Sequence, residues 1–272
     1  MGIAKHRLTR SSGLSASPAP RRLISLLLAG LLMAVAGGAA ANKARKTDSK
    51  PHRGVARAHK MPVQGVDVSQ WQGDIDWRKV RDAGIQFAYI KATEGGDHID
   101  PKFHRNWRGA KRAGVLRGAY HFVYWCRPAH EQALWFVLNV PPDADALPPV
   151  LDVEWNAHSK TCPSRISPAR ARAKIEVLLD AMRAHTGKEP IIYTDVTFHK
   201  QVLKGRFRDQ NFWLRSVAAE PHKIYRNRDW LFWQFTTTGR VHGIKGTVDR
   251  NVFNGRPADW NYTLRRMRAG RR

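Results

Sequence analysis

From Val63 onward, short apolar segments alternate with segments of helical pattern, and this alternation constrains the fold more than any other feature of the chain. Eight segments, rich in β-branched and aromatic residues, have the length of buried strands. They are residues 65–68, 86–91, 116–122, 149–153, 190–193, 212–215, 231–235 and 246–249. Helical patterns occupy residues 77–83, 103–113, 129–138 and 168–186. The order predicts an α/β fold, an irregular (β/α) barrel of eight parallel strands with helices mainly in its first part.

Four carboxylates stand where predicted strands end. Asp67 ends the first strand, Asp152 and Glu154 close the fourth, and Asp249 ends the eighth. In a parallel barrel the carboxyl ends of the strands surround one mouth, where active sites form. Because the first and eighth strands are neighbours in a closed barrel, we expect Asp67 and Asp249 to lie close together, across the mouth from Asp152 and Glu154.

Asp152 and Glu154 belong to the run Val150-Leu151-Asp152-Val153-Glu154-Trp155. Alternate side chains of a strand share a face, so the two carboxylates are expected on one side, roughly 7 Å apart along the backbone. Their repulsion in apolar surroundings raises the proton affinity of one of them, which gives a group that can donate a proton near neutral pH. A strand that ends in a solvated loop carries the same residues at no cost, so this run alone favours catalysis only modestly.

A metal site is the other chemistry that gathers carboxylates. No cluster of His and Cys with ligand spacing accompanies the four acids, and His121 is the one histidine placed to join them. A single histidine in a strand is more often a satisfied core residue than a ligand. We therefore predict neither a metal nor another cofactor.

Aromatic residues stand at or just beyond the same strand ends. They are Trp71, Tyr120, Trp125, Tyr193 and Trp233. Flat rings next to carboxylates suit the apolar faces of sugar rings, so the pattern indicates a polysaccharide. Core packing explains each ring individually, and tryptophans in a basic protein also suit nucleic-acid bases. A negative mouth repels phosphate, so we do not expect a nucleic acid as partner.

The first 41 residues have the pattern of a signal peptide. A basic leader precedes an apolar stretch at residues 23–36, and small residues that suit cleavage follow it. An uncleaved membrane anchor over residues 23–41 is the alternative, and Arg21-Arg22 leaves the export route open. Residues 42–62, which are basic and lack apolar periodicity, are predicted to be a disordered linker. The predicted location is therefore periplasmic or extracellular.

The formal net charge of +25 is not confined to the leader and the linker. Only 12 of the 47 Lys and Arg residues precede Val63, so the globular part is itself basic and suits an anionic cell-envelope surface. The two cysteines, Cys126 and Cys162, each follow an apolar run. In an oxidising compartment they are expected to form a disulfide, unless they are two unrelated free thiols.

Six segments resemble, in order, the signature segments of glycoside hydrolase family 25, the Chalaropsis-type lysozymes. They are residues 65–73 (GVDVSQWQG), 90–95 (IKATEG), 118–122 (GAYHF), 151–154 (LDVE), 233–235 (WQF) and 249–255 (DRNVFNG). Each segment alone is a weak signal. Their order over about 190 residues makes the resemblance specific.

The resemblance implies an N-acetylmuramidase that cleaves the β-1,4 bond between N-acetylmuramic acid and N-acetylglucosamine in peptidoglycan. It implies that Glu154 is the general acid and then the general base, and that Asp152 orients the 2-acetamido group of the substrate. Asp67 and Asp249 would position the substrate. The candidate substrate-binding residues are Trp71, Lys91, Glu94, Tyr120, Tyr193, Trp233 and Gln234.

The predicted organisation is a signal peptide at residues 1–41, a linker at 42–62, a catalytic barrel at 63–260 and an Arg-rich tail at 261–272. The segments around both cysteines depart from the family pattern, so we expect the disulfide to shape one wall of the cleft. We predict a monomer that acts on peptidoglycan glycan strands. A non-catalytic protein that binds cell-wall glycan on the same barrel is the alternative, although it would have no need of all four acids.

Overall fold

The structure is a computed structural model that describes residues 52–269. The predicted signal peptide and residues 42–51 of the predicted linker lie outside these residues. Among residues 52–269, no helix is both long and apolar enough to cross a membrane.

The strands of the described chain form one closed sheet. They are β1 (Gln64–Val68), β2 (Ile85–Glu94), β3 (His98–Ile99), β4 (Leu116–Phe122), β5 (Val150–Val153), β6 (Ile191–Thr194), β7 (Asn211–Arg215), β8 (Phe232–Gly239) and β9 (Val248–Phe253). The sheet closes because β1 pairs with β2 on one side and with β9 on the other. The short strand β3 pairs only with β2, so eight strands make the barrel. The predicted eight-stranded α/β barrel is confirmed.

The last strand runs opposite to the predicted direction. β9 pairs antiparallel with β8 and with β1, whereas the pairs from β1 through β2 and β4 to β8 are parallel. Only residues 240–247 connect β8 to β9. A parallel crossover needs about a dozen or more residues, so this short connection makes a hairpin. Asp249 therefore stands near the start of its strand, and the reversed direction brings it to the mouth.

The longer helices between strands lie in the first part of the barrel, as predicted. They are α1 (Trp77–Asp82), α2 (Phe103–Arg112), α3 (Ala129–Asn139) and α4 (Pro168–Thr186). The second part has the short helices α5 (Val196–Phe198) and α6 (Pro221–Tyr225), and α7 (Pro257–Ala269) follows the last strand. The long helix α4 has well-defined ends. Ser167 accepts a hydrogen bond from the backbone N–H of Arg170, and Pro168 occupies the first turn. Gly187 ends the helix with a left-handed φ of 67°.

Strand alternation places large aromatic residues inside the barrel. Phe87 and Tyr89, two residues apart in β2, pack with Trp213 and Phe232 from the other side, and Trp260 of α7 joins this cluster. The tail predicted at residues 261–272 is helical up to residue 269 and has apolar residues packed against the same cluster. It is therefore part of the packed domain as far as the structure describes it.

The predicted disordered linker at residues 42–62 is wrong for its last part. Two 3₁₀ turns, Arg53–Val55 and Ala58–Lys60, lie on the outer face of β8 and β9. Val55 and Ala58 are fully buried there with Trp233 and other apolar residues of the two strands. Among residues 52–269, no long helix contributes to this cluster, so the segment supplies the apolar cover that the face needs. We call residues 53–60 the N-terminal strap.

Candidate active site

A cavity of about 280 Å³ occupies the mouth of the barrel, where the parallel strands end. The structure places all four sequence-predicted acids around it, together with most of the predicted binding residues. The lining consists of Asp67, Val68, Ser69, Trp71, Gln72, Lys91, Tyr120, Phe122, Asp152, Glu154, Tyr193, Trp213, Gln234 and Asp249.

Asp67 and Asp249 face each other in the pairing of β1 with β9. The side-chain amide of Gln234 donates to Oδ2 of Asp67 at 2.9 Å and to Oδ2 of Asp249 at 3.2 Å, and Asn251 donates to Oδ2 of Asp67 at 2.8 Å. Burial, and then the charge of Asp67, raise the pKa of Asp249 well above its usual range. Burial also raises the pKa of Asp67, but the hydrogen bonds from Asn251 and Gln234 oppose this rise. Burial therefore favours the protonated form in this pair.

Asp152 and Glu154 line the opposite side of the mouth, on the shared face that the sequence predicts. Asp152 is 7% exposed, and burial and the charge of Glu154 raise its pKa well above the usual range. Burial, and then Asp195, raise the pKa of Glu154 to about 7, while Arg215 opposes the rise. Oδ1 of Asp152 has no hydrogen-bond partner among the described residues. This buried oxygen therefore keeps its hydrogen-bonding capacity for a donor that the described residues do not supply.

The backbone of Glu154 is held by the loop that follows β4. The indole N–H of Trp125 donates to the carbonyl oxygen of Glu154, and the backbone N–H of Trp125 donates to Asn156 at 3.0 Å. The predicted disulfide between Cys126 and Cys162 joins the same two loops. Neither cysteine lines the cavity, so the bridge stands behind its wall and does not form the wall itself.

Lys91 and Glu94 form an ion pair at the end of β2. Lys91 lines the cavity, with its ammonium 5.1 Å from the ring centroid of Phe122, and its charge acts to lower the pKa of the nearby Asp152. Glu94, a predicted binding residue, does not line the cavity. Its contact with the site is through Lys91.

Three of the predicted aromatic binding residues, Trp71, Tyr120 and Tyr193, line the cavity, and they differ in exposure and in hydrogen bonding. Trp71 is 82% exposed on the rim, in a short turn capped by Ser69. The hydroxyl of Tyr193 donates to Oε1 of Gln234 at 2.9 Å, which fixes the amide for its bonds to the two acids. Burial, followed by the neighbouring carboxylates, raises the pKa of Tyr120 and of Tyr193 well above the usual range, so both remain neutral donors.

Trp233, Trp125 and His121 are not at the cavity. Trp233 and Gln234 are successive residues of β8, so their side chains point to opposite faces, and Trp233 packs under the N-terminal strap with 1% exposure. Trp125 is buried against Phe198. His121 is buried between Thr93 and Gln132 and accepts or donates to both, as expected of a core histidine.

The sequence analysis missed two charged residues that act on Glu154. Arg215 ends β7, and Asp195 directly follows β6. Arg215 pairs in register with Gln234, whose side chain points into the cavity, and parallel neighbours in register share a face. Both residues stand at strand ends, so the rule that found the four acids could also have found them.

The described residues offer no site with three or more His, Cys, Asp or Glu side chains arranged to hold a metal ion. The cavity lining offers instead a proton donor near neutrality, one cation, Lys91, and the exposed ring of Trp71. Such a set suits acid catalysis on a neutral, hydroxyl-rich ligand.

The sequence model of the family described as Glycosyl hydrolases family 25 matches residues 66–244. The chain belongs to this family. The match spans the strands from β1 to β8 and includes three of the four acids, Asp67, Asp152 and Glu154.

Curated relatives and solved structures agree with membership of family 25. YegX of Escherichia coli (strain K12) is 40% identical over 203 residues, which are 71% of this chain and 70% of YegX. Lysozyme M1 of Streptomyces globisporus is 37% identical over 217 residues, 76% of this chain and 72% of the relative. The structure of a family 25 glycosyl hydrolase from Bacillus anthracis superposes with a TM-score of 0.71 at 34% identity, over 78% of this chain and 97% of that one. This member of family 25 is a glycoside hydrolase with muramidase activity on peptidoglycan.

Proposed function

We propose that this family 25 enzyme is exported and hydrolyses the β-1,4 bond between N-acetylmuramic acid and N-acetylglucosamine, with Glu154 as the proton donor and Asp152 assisting the substrate acetamido group. The observation that carries the proposal is the environment of the two neighbouring carboxyls, Glu154 and Asp152. Glu154 lines the cavity with a pKa of about 7, and the buried Asp152 beside it has an oxygen without a protein partner.

In the first step, Glu154 transfers its proton to the glycosidic oxygen as the bond from that oxygen to the anomeric carbon breaks. The carbonyl oxygen of the 2-acetamido group bonds to the anomeric carbon and forms a five-membered oxazolinium ring. Asp152 accepts a hydrogen bond from the acetamido N–H through its unpaired oxygen, which orients the carbonyl oxygen toward the anomeric carbon. The leaving sugar departs as a neutral alcohol.

In the second step, Glu154 is a carboxylate and takes a proton from water. The water oxygen attacks the anomeric carbon, the oxazolinium ring opens, and Glu154 regains its proton. Two inversions at one carbon give overall retention of configuration. Because the nucleophile belongs to the substrate, the usual relation between carboxylate separation and stereochemistry does not apply.

Asp67 and Asp249 serve this chemistry by position and charge. Their network with Gln234 and Asn251 keeps a polar wall opposite Glu154, where sugar hydroxyls can bind. The negative charge of Asp67 also raises the pKa of Glu154. Trp71 on the rim offers an apolar face to a sugar ring, and Lys91 and Tyr120 complete the binding surface.

Export is proposed from the leader at residues 1–41 together with the disulfide between Cys126 and Cys162, since disulfides persist in oxidising compartments. A muramidase must also reach the cell wall.

The test is digestion of purified peptidoglycan by the full chain, followed by reduction of the new sugar ends with borohydride. Reduced muramic acid among the products supports the proposal. Reduced glucosamine would mean that the other linkage is cut. The variants Glu154→Gln and Asp152→Asn should both lose most activity, and retention of configuration in the first product, measured by NMR, is expected of the proposed route.

A further inference from the structure

A second charged cavity, of about 460 Å³, lies away from the mouth. Its walls come from the segment that leads into β7 and the segment that leads into β8. It is therefore near the amino ends of two strands whose carboxyl ends reach the active site. We call it the basic pocket, and the residues used below are His199, Lys204, Arg208, Arg226, Arg228 and Asp229.

The basic pocket has an excess of positive charge. Its lining includes the cations Lys204, Arg208, Arg226 and Arg228, but Asp229 is its one acid. Within residues 52–269, no salt bridge involves Lys204, Arg208 or Arg226, and all three are exposed. Unpaired cations around a concave surface concentrate field lines and attract anions.

Arg228 holds the two walls together and is buried without a carboxylate partner. Its Nε donates to Nε2 of His199 at 3.1 Å, and one Nη donates to the carbonyl oxygens of Leu203 and Arg206, each at 2.8 Å. Its guanidinium also lies 4.2 Å from the ring centroid of Phe212. Its hydrogen-bond partners are all neutral groups, and the attraction of the neighbouring Asp229 is opposed by the repulsion of Arg208. A bound anion would supply the missing charge.

Two residues of the same walls have left-handed backbone conformations that side chains other than glycine rarely adopt. They are Phe207, with a φ of 54°, and Arg226, with a φ of 48°. Such residues cost about 1–3 kcal/mol each, and a fold retains them where the surroundings determine them. Here they precede Arg208 and bear the Arg226 side chain, so they set the direction of two of the unpaired cations.

We propose that the basic pocket binds phosphate groups of an anionic polymer attached to the cell wall. Arginine offers a planar fork of donors that matches phosphate oxygens, and lysine adds a compact charge. The substrate of the enzyme is peptidoglycan, so a polyanion attached to that substrate is the partner that the pocket meets there. Because the pocket is away from the mouth, one wall fragment can occupy both sites at once, and two linked contacts raise the apparent affinity.

The test compares two triple variants of the full chain that remove the same charge. Lys204→Gln/Arg208→Gln/Arg226→Gln changes the basic pocket, and Arg81→Gln/Arg108→Gln/Arg112→Gln changes exposed arginines of α1 and α2. The probe is soluble poly(glycerol phosphate), titrated by calorimetry at several salt concentrations. We expect the pocket variant to bind at least ~10-fold more weakly with a smaller salt slope, and the control variant to bind within ~2-fold of the parent protein.

Activity on short soluble peptidoglycan fragments without phosphate shows whether the variants fold, and both should keep the parent rate. Equal losses of poly(glycerol phosphate) binding in the two variants would overturn the proposal in favour of diffuse surface charge. Vesicles of equal parts phosphatidylglycerol and phosphatidylcholine, and a single-stranded DNA oligonucleotide, are the comparison ligands. Pocket-dependent binding of either one, without pocket-dependent binding of poly(glycerol phosphate), would also overturn it.

Discussion

The replacement Glu154→Gln tests the electrostatics of the site through two properties that should change in opposite directions. The amide keeps the size of the side chain but cannot donate the proton, so we expect kcat/KM for peptidoglycan fragments to fall by ~10²–10⁴-fold. The same replacement should stabilise the folded protein near neutral pH. The reason is the burial that, together with Asp195, raises the pKa of Glu154 from 4.5 to about 7.

The sign and the size of this stabilisation follow from proton linkage. A carboxyl whose pKa is raised on folding binds its proton more tightly in the folded state, so its contribution to stability is complete below pH 4.5 and is lost as the pH rises to about 7. At ~1.36 kcal/mol per pKa unit, the loss is about 3 kcal/mol near pH 7. Glutamine does not titrate and avoids this loss. The variant should therefore melt roughly 6–12 °C higher than the parent at pH 7.

The assay is thermal unfolding followed by circular dichroism or calorimetry between pH 4 and pH 8. The control is Glu176→Gln, which removes an exposed carboxyl from α4. The gain for Glu154→Gln should be near zero at pH 4 and grow toward pH 7, and the control should show little change. A stability difference that does not depend on pH, or an unaltered rate of hydrolysis, would refute the reasoning.

Three further predictions concern the groups around this carboxyl and the cover of the barrel. Arg215→Met removes a charge that lowers the pKa of Glu154, so the alkaline limb of the activity–pH profile should move to higher pH. The exposed control Arg81→Met should leave this limb in place. An unmoved limb in Arg215→Met would show that Arg215 does not act on Glu154. The double replacement Cys126→Ser/Cys162→Ser removes a bridge with a sequence separation of 36, which should cost about 3–4 kcal/mol in urea unfolding. It should also reduce kcat, because the bridge is anchored next to Trp125, whose indole holds the Glu154 carbonyl. A full kcat in the folded variant would separate the bridge from the site. Val55→Ala, in the fully buried part of the N-terminal strap, should lower the free energy of unfolding by ~1–3 kcal/mol. The matched replacement Val177→Ala, on the exposed surface of α4, should change this free energy little. Equal effects of the two replacements would mean that the strap is not part of the folded domain.

The strands and the acids could be predicted because both depend on local pattern. Apolar runs of strand length marked all eight barrel strands to within a few residues. Asp67, Asp152 and Glu154 stood at the ends of those runs, and parallel strands bring such ends together. Asp249 was placed correctly although its strand direction was predicted wrongly, since a hairpin and a parallel crossover both bring that residue to the mouth.

The direction of each side chain at a strand end was harder to predict. Trp233 and Gln234 are adjacent, and the sequence gives no reason to choose which of them faces the cavity when both faces of β8 are covered. The cover on the outer face comes from the N-terminal strap, more than 170 residues away in sequence. Its basic composition resembles a linker, and only its packing identifies it as part of the domain.

The sequence by itself determined the order of the strands, the four acids and the two cysteines, because hydrophobic periodicity and residue spacing specify which groups a barrel gathers at one end. The tertiary structure decided which of those groups hold protons. The pKa of Glu154 depends on its burial and on Asp195 and Arg215 from other strands, and these distances exist only once the barrel has closed. Electrostatic energy depends on separation in space and on the surrounding dielectric, and neither is written in the order of residues along the chain.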